Sequence, residues 1–163
     1  MKIKKLTEHI GAEIFDIRID SLEQSEVDEI KDAWLAHKVL VFRNQPISVE
    51  AHIAFGKHFG ELEIHPFADN LEDYPEIIVL EAGGDSPRQN YNAAQDWHID
   101  VSFREKPPLG SVLRGKTIPK HGGDTHFANA AAAYERLDSD IKSRVDDLFA
   151  VNDYTKMFGP STR

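Results

Sequence analysis

The most informative absence in this sequence is cysteine, which does not occur among its 163 residues. Without thiols, the chain cannot form disulfides, thiolate zinc sites or a cysteine nucleophile. This excludes disulfide-rich domains, cysteine-ligated zinc domains and enzymes with a catalytic cysteine. A chain of this kind suits a reducing compartment, and we expect a cytoplasmic location.

Basic charge and long apolar runs are also scarce. Lysine and arginine number 19 against 28 acidic residues, which gives a formal net charge of −9. This balance leaves no basic surface that could neutralise a run of phosphates, so we expect no nucleic-acid partner. No apolar run approaches the roughly 20 residues of a membrane-crossing helix. The basic start Met1–Lys5 is followed by mixed polar sequence, so no signal peptide is predicted.

Several catalytic signatures are missing as well. The sequence has no Gly-x-Ser-x-Gly elbow, no phosphate-binding Gly-x-x-x-x-Gly-Lys loop, no His-Glu-x-x-His pair and no dinucleotide fingerprint after a strand. Hydrolase, nucleotidase and zinc-peptidase functions are therefore not favoured.

The apolar residues that are present, 40% of the chain, predict one globular unit. Their spacing in the first part favours alternating strands and helices. The predicted elements are a strand at Ala12–Ile17, a helix from a capping box of Ser21 and Gln24 to about His37, a strand at Val39–Phe42 and a helix from Ser48 to Gly60. We expect Val27, Ile30 and Trp34 to form the buried stripe of the first helix.

The second part of the chain begins with a stretch rich in loop-forming residues, 61–96, interrupted by one short apolar run. The predicted elements are strands at Ile77–Leu80, Trp97–Phe103, Gly110–Lys116 and Thr125–Phe127, a turn at Gly122–Asp124, and helices at roughly Ala130–Leu137 and Ser139–Ala150. The final residues show no periodicity, which suggests a chain cut short or a disordered end.

The candidate site for chemistry is His98-Ile99-Asp100. On a strand, residues i and i+2 point to the same side, so this histidine and carboxylate could bind one metal. An imidazole and a carboxylate with open positions suit non-haem Fe(II). A chain with this composition would contain about one such spacing by chance. Taken alone, the motif is more typical of a hydrogen-bonded pair.

The surrounding sequence resembles the taurine catabolism or 2,4-dichlorophenoxyacetate type of Fe(II), 2-oxoglutarate-dependent dioxygenases. The resemblance covers essentially the whole chain, with the matching segments in the family's order. These segments are Gly11–Ile14, Val39–Arg43, Phe59–Leu62 with His65-Pro66, Trp97–Phe103, Pro107-Pro108, Gly122–Thr125 and Ala132–Tyr134.

The resemblance implies a set of site residues. His98 and Asp100 would be iron ligands, and Thr125 would hydrogen-bond 2-oxoglutarate. The substrate pocket would be lined by His65, Val101 and Phe103. The resemblance implies no catalytic residue beyond the metal ligands. Ala68 and Ala94 replace polar or aromatic substrate contacts of taurine dioxygenase, so taurine itself is not predicted.

The resemblance also implies a fold and an activity. The fold would be α+β, a double-stranded β-helix of the jelly-roll, clavaminate synthase-like type with mostly antiparallel strands, incomplete at its carboxyl end. Residues 1–163 would form the amino-terminal part of a single dioxygenase domain. With Fe(II), 2-oxoglutarate and O2, the enzyme would hydroxylate a small organic substrate, acidic substrates included, and release succinate and CO2. The sequence does not decide whether the protein forms a homo-oligomer.

Two parts of the family's site have no counterpart in this sequence. The third metal ligand, a second histidine, and the arginine that binds 2-oxoglutarate both lie further along the family's chain. His121 and His126 occupy positions that the family does not use for metal. Activity of these residues alone is therefore doubtful. The alternative is a truncated or degenerate member that binds metal or small acids weakly or acts as an interaction module.

Overall fold

The computed structural model describes residues 1–65, 70–80 and 97–153. It divides the chain into two compact units. Unit 1 comprises Met1–Leu62 and Arg114–Asp147, and unit 2 comprises the described residues within Glu63–Leu113 and Leu148–Arg163. Each unit is treated by itself below. Among the described residues, no helix has the length and apolar character that crossing a membrane would require.

Unit 1 contains a three-stranded sheet in the order β1-β2-β3. The strands are β1 (Lys2–Lys5), β2 (Ala12–Phe15) and β3 (Leu40–Phe42). β1 is antiparallel to β2, whereas β3 is parallel to it. The predicted strands Ala12–Ile17 and Val39–Phe42 are confirmed, although β2 ends earlier, before Asp16 at φ +59°. The lysine-rich β1, whose four residues are all exposed, was not predicted; such charge is typical of edge strands.

The first helix, α1 (Gln24–His37), confirms the predicted helix but not its predicted cap. Glu23 and Glu26 form the capping box, and the Glu23 backbone N–H donates to the Glu26 carboxylate at 2.8 Å. Gln24 already lies inside the helix, where its side chain donates to Asp28 at 3.0 Å. The prediction of a box formed by Ser21 and Gln24 was therefore wrong.

The apolar face of α1 is buried through Val27, Ile30 and Ala33. Trp34, predicted to lie in this stripe, is only partly buried, and its indole N–H donates to the carbonyl of Lys38 at 3.0 Å, just beyond the helix. The amphipathic prediction is therefore confirmed at two of its three positions.

The second helix, α2 (Val49–Lys57), begins as predicted at Ser48, whose hydroxyl accepts from the Ala51 N–H at 3.1 Å. Its Phe55 joins a core cluster with Ile19, Ile30 and Ile47. The Phe55 ring packs edge-on against two other rings, with centroids 5.6 Å from Phe42 and 5.2 Å from Phe59. The core of unit 1 thus lies between α1, α2 and the sheet.

Two short helices complete unit 1, α3 (Ala130–Glu135) and α4 (Ser139–Val145). Both were predicted, and both end earlier than predicted. The Asn129 side chain caps α3 by accepting from Ala132 N–H at 3.0 Å and donates to the His9 carbonyl at 2.8 Å. Asn129 therefore connects α3 to the amino-terminal segment.

Four predicted strands do not form in the described part of the chain. Residues 97–99 have no regular structure and 100–103 form a turn. Gly110–Lys116 and Thr125–Phe127 are also irregular, and Ile77–Leu80 is reduced to an isolated antiparallel bridge between Asn70 and Ile78. Strands require hydrogen-bonded neighbours, and within the described ranges the only sheet consists of β1, β2 and β3, which does not include these segments. An apolar, β-branched composition was therefore not enough to predict strands in these segments.

Candidate metal site

The two predicted metal ligands lie in unit 2, just before and at the start of a turn rather than on a strand. His98 precedes the turn and Asp100 is its first residue. The Arg104 N–H donates to the Val101 carbonyl at 3.1 Å and closes the turn. The expectation that strand geometry aligns the two side chains was therefore wrong.

The two side chains nevertheless converge. His98 Nε2 lies 3.2 Å from Asp100 Oδ1, and the side chains are 38% and 59% exposed. Two ligands at about 2.1 Å from one divalent metal, at right angles to each other, would be separated by about 3 Å. The observed distance fits adjacent ligands of one ion, and it also fits the direct histidine–carboxylate contact that the sequence left open.

Val101, next to Asp100, has φ +52°, in the left-handed region. A β-branched side chain rarely adopts this conformation, because its Cβ approaches the backbone carbonyl. Such strain is found most often at functional sites, where the surrounding structure enforces it. The turn that carries Asp100 therefore has a backbone conformation that its sequence does not favour.

Ser111 is a neighbour of Asp100 that the sequence analysis missed. Its hydroxyl donates to Asp100 Oδ2 at 3.1 Å, across a separation of 11 positions. The two carboxylate oxygens thus have different neighbours, His98 for Oδ1 and Ser111 for Oδ2. No local sequence pattern predicts a contact between side chains on either side of Pro107-Pro108.

Two further contacts within unit 2 anchor the turn. The Ser102 hydroxyl donates to the Asn152 side-chain oxygen at 3.1 Å. Arg104 Nη2 lies 2.7 Å from Glu63 Oε1. Ser102, within the turn, and Arg104, just after it, are therefore each connected to another segment of unit 2.

The residues predicted to line a substrate pocket are all partly buried and belong to unit 2. Val101 and Phe103 lie in the turn itself. The carbonyl of His65 accepts from the Asn70 side chain at 3.1 Å. Their role in binding substrate stays a prediction. Ala68 and Ala94 lie outside the described residues.

Thr125, the predicted partner of 2-oxoglutarate, is exposed and belongs to unit 1. It follows the predicted turn, in which Gly122 and Gly123 have φ +77° and +73°, values that favour glycine. His121 and His126 are likewise exposed in unit 1. In the part of the chain that the structure describes, no three or more histidine, aspartate or glutamate side chains are grouped to hold a metal.

Several characterised proteins are similar to this chain. An alkylsulfatase of Acinetobacter baylyi is 39% identical over 154 residues, which cover 93% of this chain and 47% of that protein. An alpha-ketoglutarate-dependent sulfate ester dioxygenase of Pseudomonas putida is 35% identical over 145 residues, 88% of this chain and 46% of that protein. The chain therefore spans about half the length of these relatives.

Solved structures agree with this relationship. A crystal structure of a taurine dioxygenase from Burkholderia xenovorans matches 90% of this chain and 51% of its own, with a TM-score of 0.77 and 37% identity. The crystal structure of AAD-2 in complex with Mn(II) and N-oxalylglycine matches 91% of this chain and 50% of its own, with a TM-score of 0.72 and 29% identity.

The family model supplies the assignment, because it extends over nearly every residue. It matches residues 2–163 and describes taurine catabolism dioxygenases of the TauD and TfdA type. The resemblance inferred from the sequence is thereby confirmed. This chain belongs to the TauD, TfdA family of dioxygenases.

Proposed function

We propose that these residues are the amino-terminal part of a single Fe(II)- and 2-oxoglutarate-dependent dioxygenase domain that hydroxylates a small organic substrate. The observation that carries this proposal is the pair of His98 Nε2 and Asp100 Oδ1, 3.2 Å apart and accessible to solvent. Its donor chemistry is one imidazole nitrogen and one carboxylate oxygen, which suits ferrous iron. The residues present therefore fit two of the ligands of a facial triad.

The roles of the two ligands follow from their protonation. A metal binds the neutral imidazole of His98 and the ionised carboxylate of Asp100, so protons compete with the metal for both groups. When bound, Fe(II) and 2-oxoglutarate would supply the O2-dependent oxidation that hydroxylates a C–H bond and yields succinate and CO2. The protein's contribution is to hold the metal with positions left open for ligands.

The remaining site residues are proposed on the family resemblance. Thr125 would donate its hydroxyl to a 2-oxoglutarate carboxylate. His65, Val101 and Phe103 would contact the substrate, and their partial burial is compatible with side chains that retain an accessible surface. The complete fold would be a double-stranded β-helix.

The substrate proposed is a small organic anion. Relatives of this chain are described as sulfate ester, sulfonate and phenoxypropionate dioxygenases, all names of small anionic compounds. Assignment to one of these classes would require the residues that contact the anion. A panel of alkyl sulfates, alkyl sulfonates and phenoxy acids, each assayed for succinate formation, would discriminate among them.

A metal-binding experiment tests the proposal directly. The protein that carries these residues would be titrated anaerobically with Fe(II) and 2-oxoglutarate, and the expected result is a visible metal-to-ligand charge-transfer band. His98→Ala should abolish the band. It should also raise the metal Kd by at least about 100-fold, because losing a direct ligand costs at least as much as losing an outer-shell partner, for which the upper end is about 100-fold. His121→Ala is the matched control and should leave both unchanged.

The opposite results would change the assignment. If the native protein develops no band at millimolar 2-oxoglutarate, the oxygenase proposal fails and only family membership stands. If the protein binds Fe(II) and 2-oxoglutarate but forms no succinate, with or without the substrates of the panel, it is the non-catalytic binding member that the sequence left as the alternative. If neither His98→Ala nor His121→Ala weakens metal binding, the metal lies elsewhere.

A further inference from the structure

The Asp100 carboxylate is held asymmetrically. Its Oδ1 faces His98 Nε2 at 3.2 Å, whereas its Oδ2 accepts the hydroxyl hydrogen of Ser111 at 3.1 Å. An oxygen that accepts from a hydroxyl has less capacity left for a metal, whereas Oδ1 already lies beside the imidazole nitrogen that would be the second ligand. The contact with Ser111 therefore favours coordination through Oδ1 alone.

This asymmetry matters for any metal that His98 and Asp100 would bind. A carboxylate that coordinates through both oxygens occupies two positions on the ion, whereas oxygenase chemistry needs positions open for other ligands. Hydroxyl and amide donors around a ligating carboxylate fix its orientation and tune its affinity.

We propose that Ser111 is a positioning residue that holds Asp100 in single-oxygen coordination of the metal, an inference that rests on the proposed function. The hydroxyl donates to an ionised acceptor, and such charge-assisted bonds are stronger than neutral ones. Ser111 contacts neither the metal nor the substrate in this role. It acts through the Asp100 carboxylate.

The segment between Asp100 and Ser111 explains how the exposed Ser111 can keep its hydroxyl beside the Asp100 carboxylate. The segment from Asp100 to Ser111 passes through Pro107-Pro108, whose rings fix φ and reduce the freedom of the chain. Arg104, within this segment, lies with its Nη2 2.7 Å from Glu63 Oε1. The hydroxyl is thus presented by a restrained segment.

Ser102 provides a matched control, because it lies closer to Asp100 in sequence but makes a different contact. Its hydroxyl donates to Asn152 Oδ1 at 3.1 Å, not to the ligand carboxylate. Both serines belong to unit 2 and each donates one side-chain hydrogen bond. Of the two serines, only Ser111 is expected to act on the metal through the Asp100 carboxylate.

The experiment compares Ser111→Thr with Ser111→Val, two side chains of nearly equal shape that differ in the hydroxyl. Mn(II) affinity would be measured by electron paramagnetic resonance, because the signal of free Mn(II) is lost when the ion binds to the protein. Ser111→Val should weaken Mn(II) binding by about 10–100-fold, the range for loss of an outer-shell partner. Ser111→Thr should stay close to the native affinity. Ser102→Ala removes a contact of the turn but none of Asp100, so it should weaken Mn(II) binding much less than Ser111→Val.

A second measurement reports directly how many oxygens of the carboxylate bind the metal, and it can be made on the native protein alone. In the metal-minus-apo infrared difference spectrum, single-oxygen coordination separates the two carboxylate stretching bands widely, and two-oxygen coordination brings them together. We expect wide separation in the native protein and in Ser111→Thr, and narrowed separation in Ser111→Val. A narrow separation in the native protein would overturn the inference, even if every variant failed to fold.

Failure of this inference is distinguishable from failure of the proposed function. If Ser111→Val binds Mn(II) as tightly as the native protein while His98→Ala does not bind, Ser111 has no positioning role and the metal site stands. If the native protein binds no Mn(II), and His98→Ala is indistinguishable from it, the proposed function fails and the inference fails with it. Equal loss in Ser111→Val and Ser111→Thr would also overturn the role of the hydroxyl.

Discussion

Nη2 of Arg104 lies 2.7 Å from Oε1 of Glu63, and the Glu63 side chain is partly buried. Arg104 follows directly on the turn that begins at Asp100, whereas Glu63 lies in the segment that leads to His65. The ion pair therefore joins two stretches of unit 2 that carry proposed metal and substrate residues. Both stretches are otherwise irregular, so side-chain contacts rather than a sheet hold them.

We predict that Arg104 and Glu63 are energetically coupled. A double-mutant cycle with Arg104→Gln and Glu63→Gln, measured by chemical unfolding, should give a coupling free energy of about 0.5–1 kcal/mol, in the upper range for partly exposed pairs. High salt should reduce this coupling, because the side chains are 38% and 24% exposed and counterions can screen them.

The pair formed by Lys142 and Glu135 is the control for this cycle. Its charged atoms are 3.8 Å apart and the Glu135 side chain is 76% exposed. The same double-mutant analysis should give a coupling close to zero there. Equal coupling in the two pairs would mean that the Arg104–Glu63 contact adds nothing specific to unit 2.

The stability of unit 1 should depend strongly on Ile30, which is fully buried in its core. Ile30→Ala removes apolar contacts and leaves a cavity, so we expect a loss of about 2–5 kcal/mol in the free energy of unfolding. Leu35→Ala, at a position that is 63% exposed on the same helix, should change it by less than about 0.5 kcal/mol. Urea denaturation followed by circular dichroism measures both, and similar losses would contradict the assignment of the core.

Helices were more predictable from this sequence than strands because their signals are local. Ser48 caps α2 through a hydroxyl that accepts from Ala51, and both residues lie within one helical turn. The burial of Val27 and Ile30 followed from helical spacing alone. Even there, Glu23 replaced Ser21 as the cap, because several polar residues compete for that role.

The strands and the details of the site depend on distant residues. An apolar run such as Trp97–Phe103 becomes a strand only beside a partner, and the sequence does not specify that partner. The convergence of His98 and Asp100 was predicted, but from a strand geometry that the turn replaces. The contact from Ser111 could not be predicted, because it joins side chains across an irregular segment.

Tyr134 provides a test by titration. Its hydroxyl donates to the Asp146 carboxylate, and this hydrogen bond raises the pKa of Tyr134 above its ordinary value, because ionisation would break the bond and place two negative charges together. Asp146→Asn should therefore lower the pKa of Tyr134. Ultraviolet absorbance of the phenolate against pH measures this change, with Tyr134→Phe identifying the signal among the four tyrosines.

The sign of the linked stability follows from the raised pKa. The stabilisation from the Tyr134–Asp146 contact should be fully present below about pH 10, the ordinary pKa of tyrosine. It should be lost as the pH rises through the raised pKa of the folded protein. Asp146→Asn should remove this dependence, and an unchanged titration of Tyr134 in that variant would contradict the hydrogen bond.

The left-handed backbone at Val101 predicts a reversal of the usual order of alanine and glycine. At ordinary positions within regular structure, glycine is less stable than alanine by roughly 0.5–1 kcal/mol, because the unfolded chain gains freedom. At φ +52°, a Cβ costs about 1–2 kcal/mol that glycine avoids. The second effect is larger, so Val101→Gly should unfold at a higher denaturant concentration than Val101→Ala.

Val112 is the matched control, since it is a valine of the same unit that is not among the residues with positive φ. There, Val112→Ala should be at least as stable as Val112→Gly, the opposite of the order expected at Val101. The comparison cancels the loss of the valine side chain, because each pair of variants lacks it equally. If alanine is the more stable residue at both positions, Val101 is not strained, and the turn that carries Asp100 does not require an enforced backbone conformation.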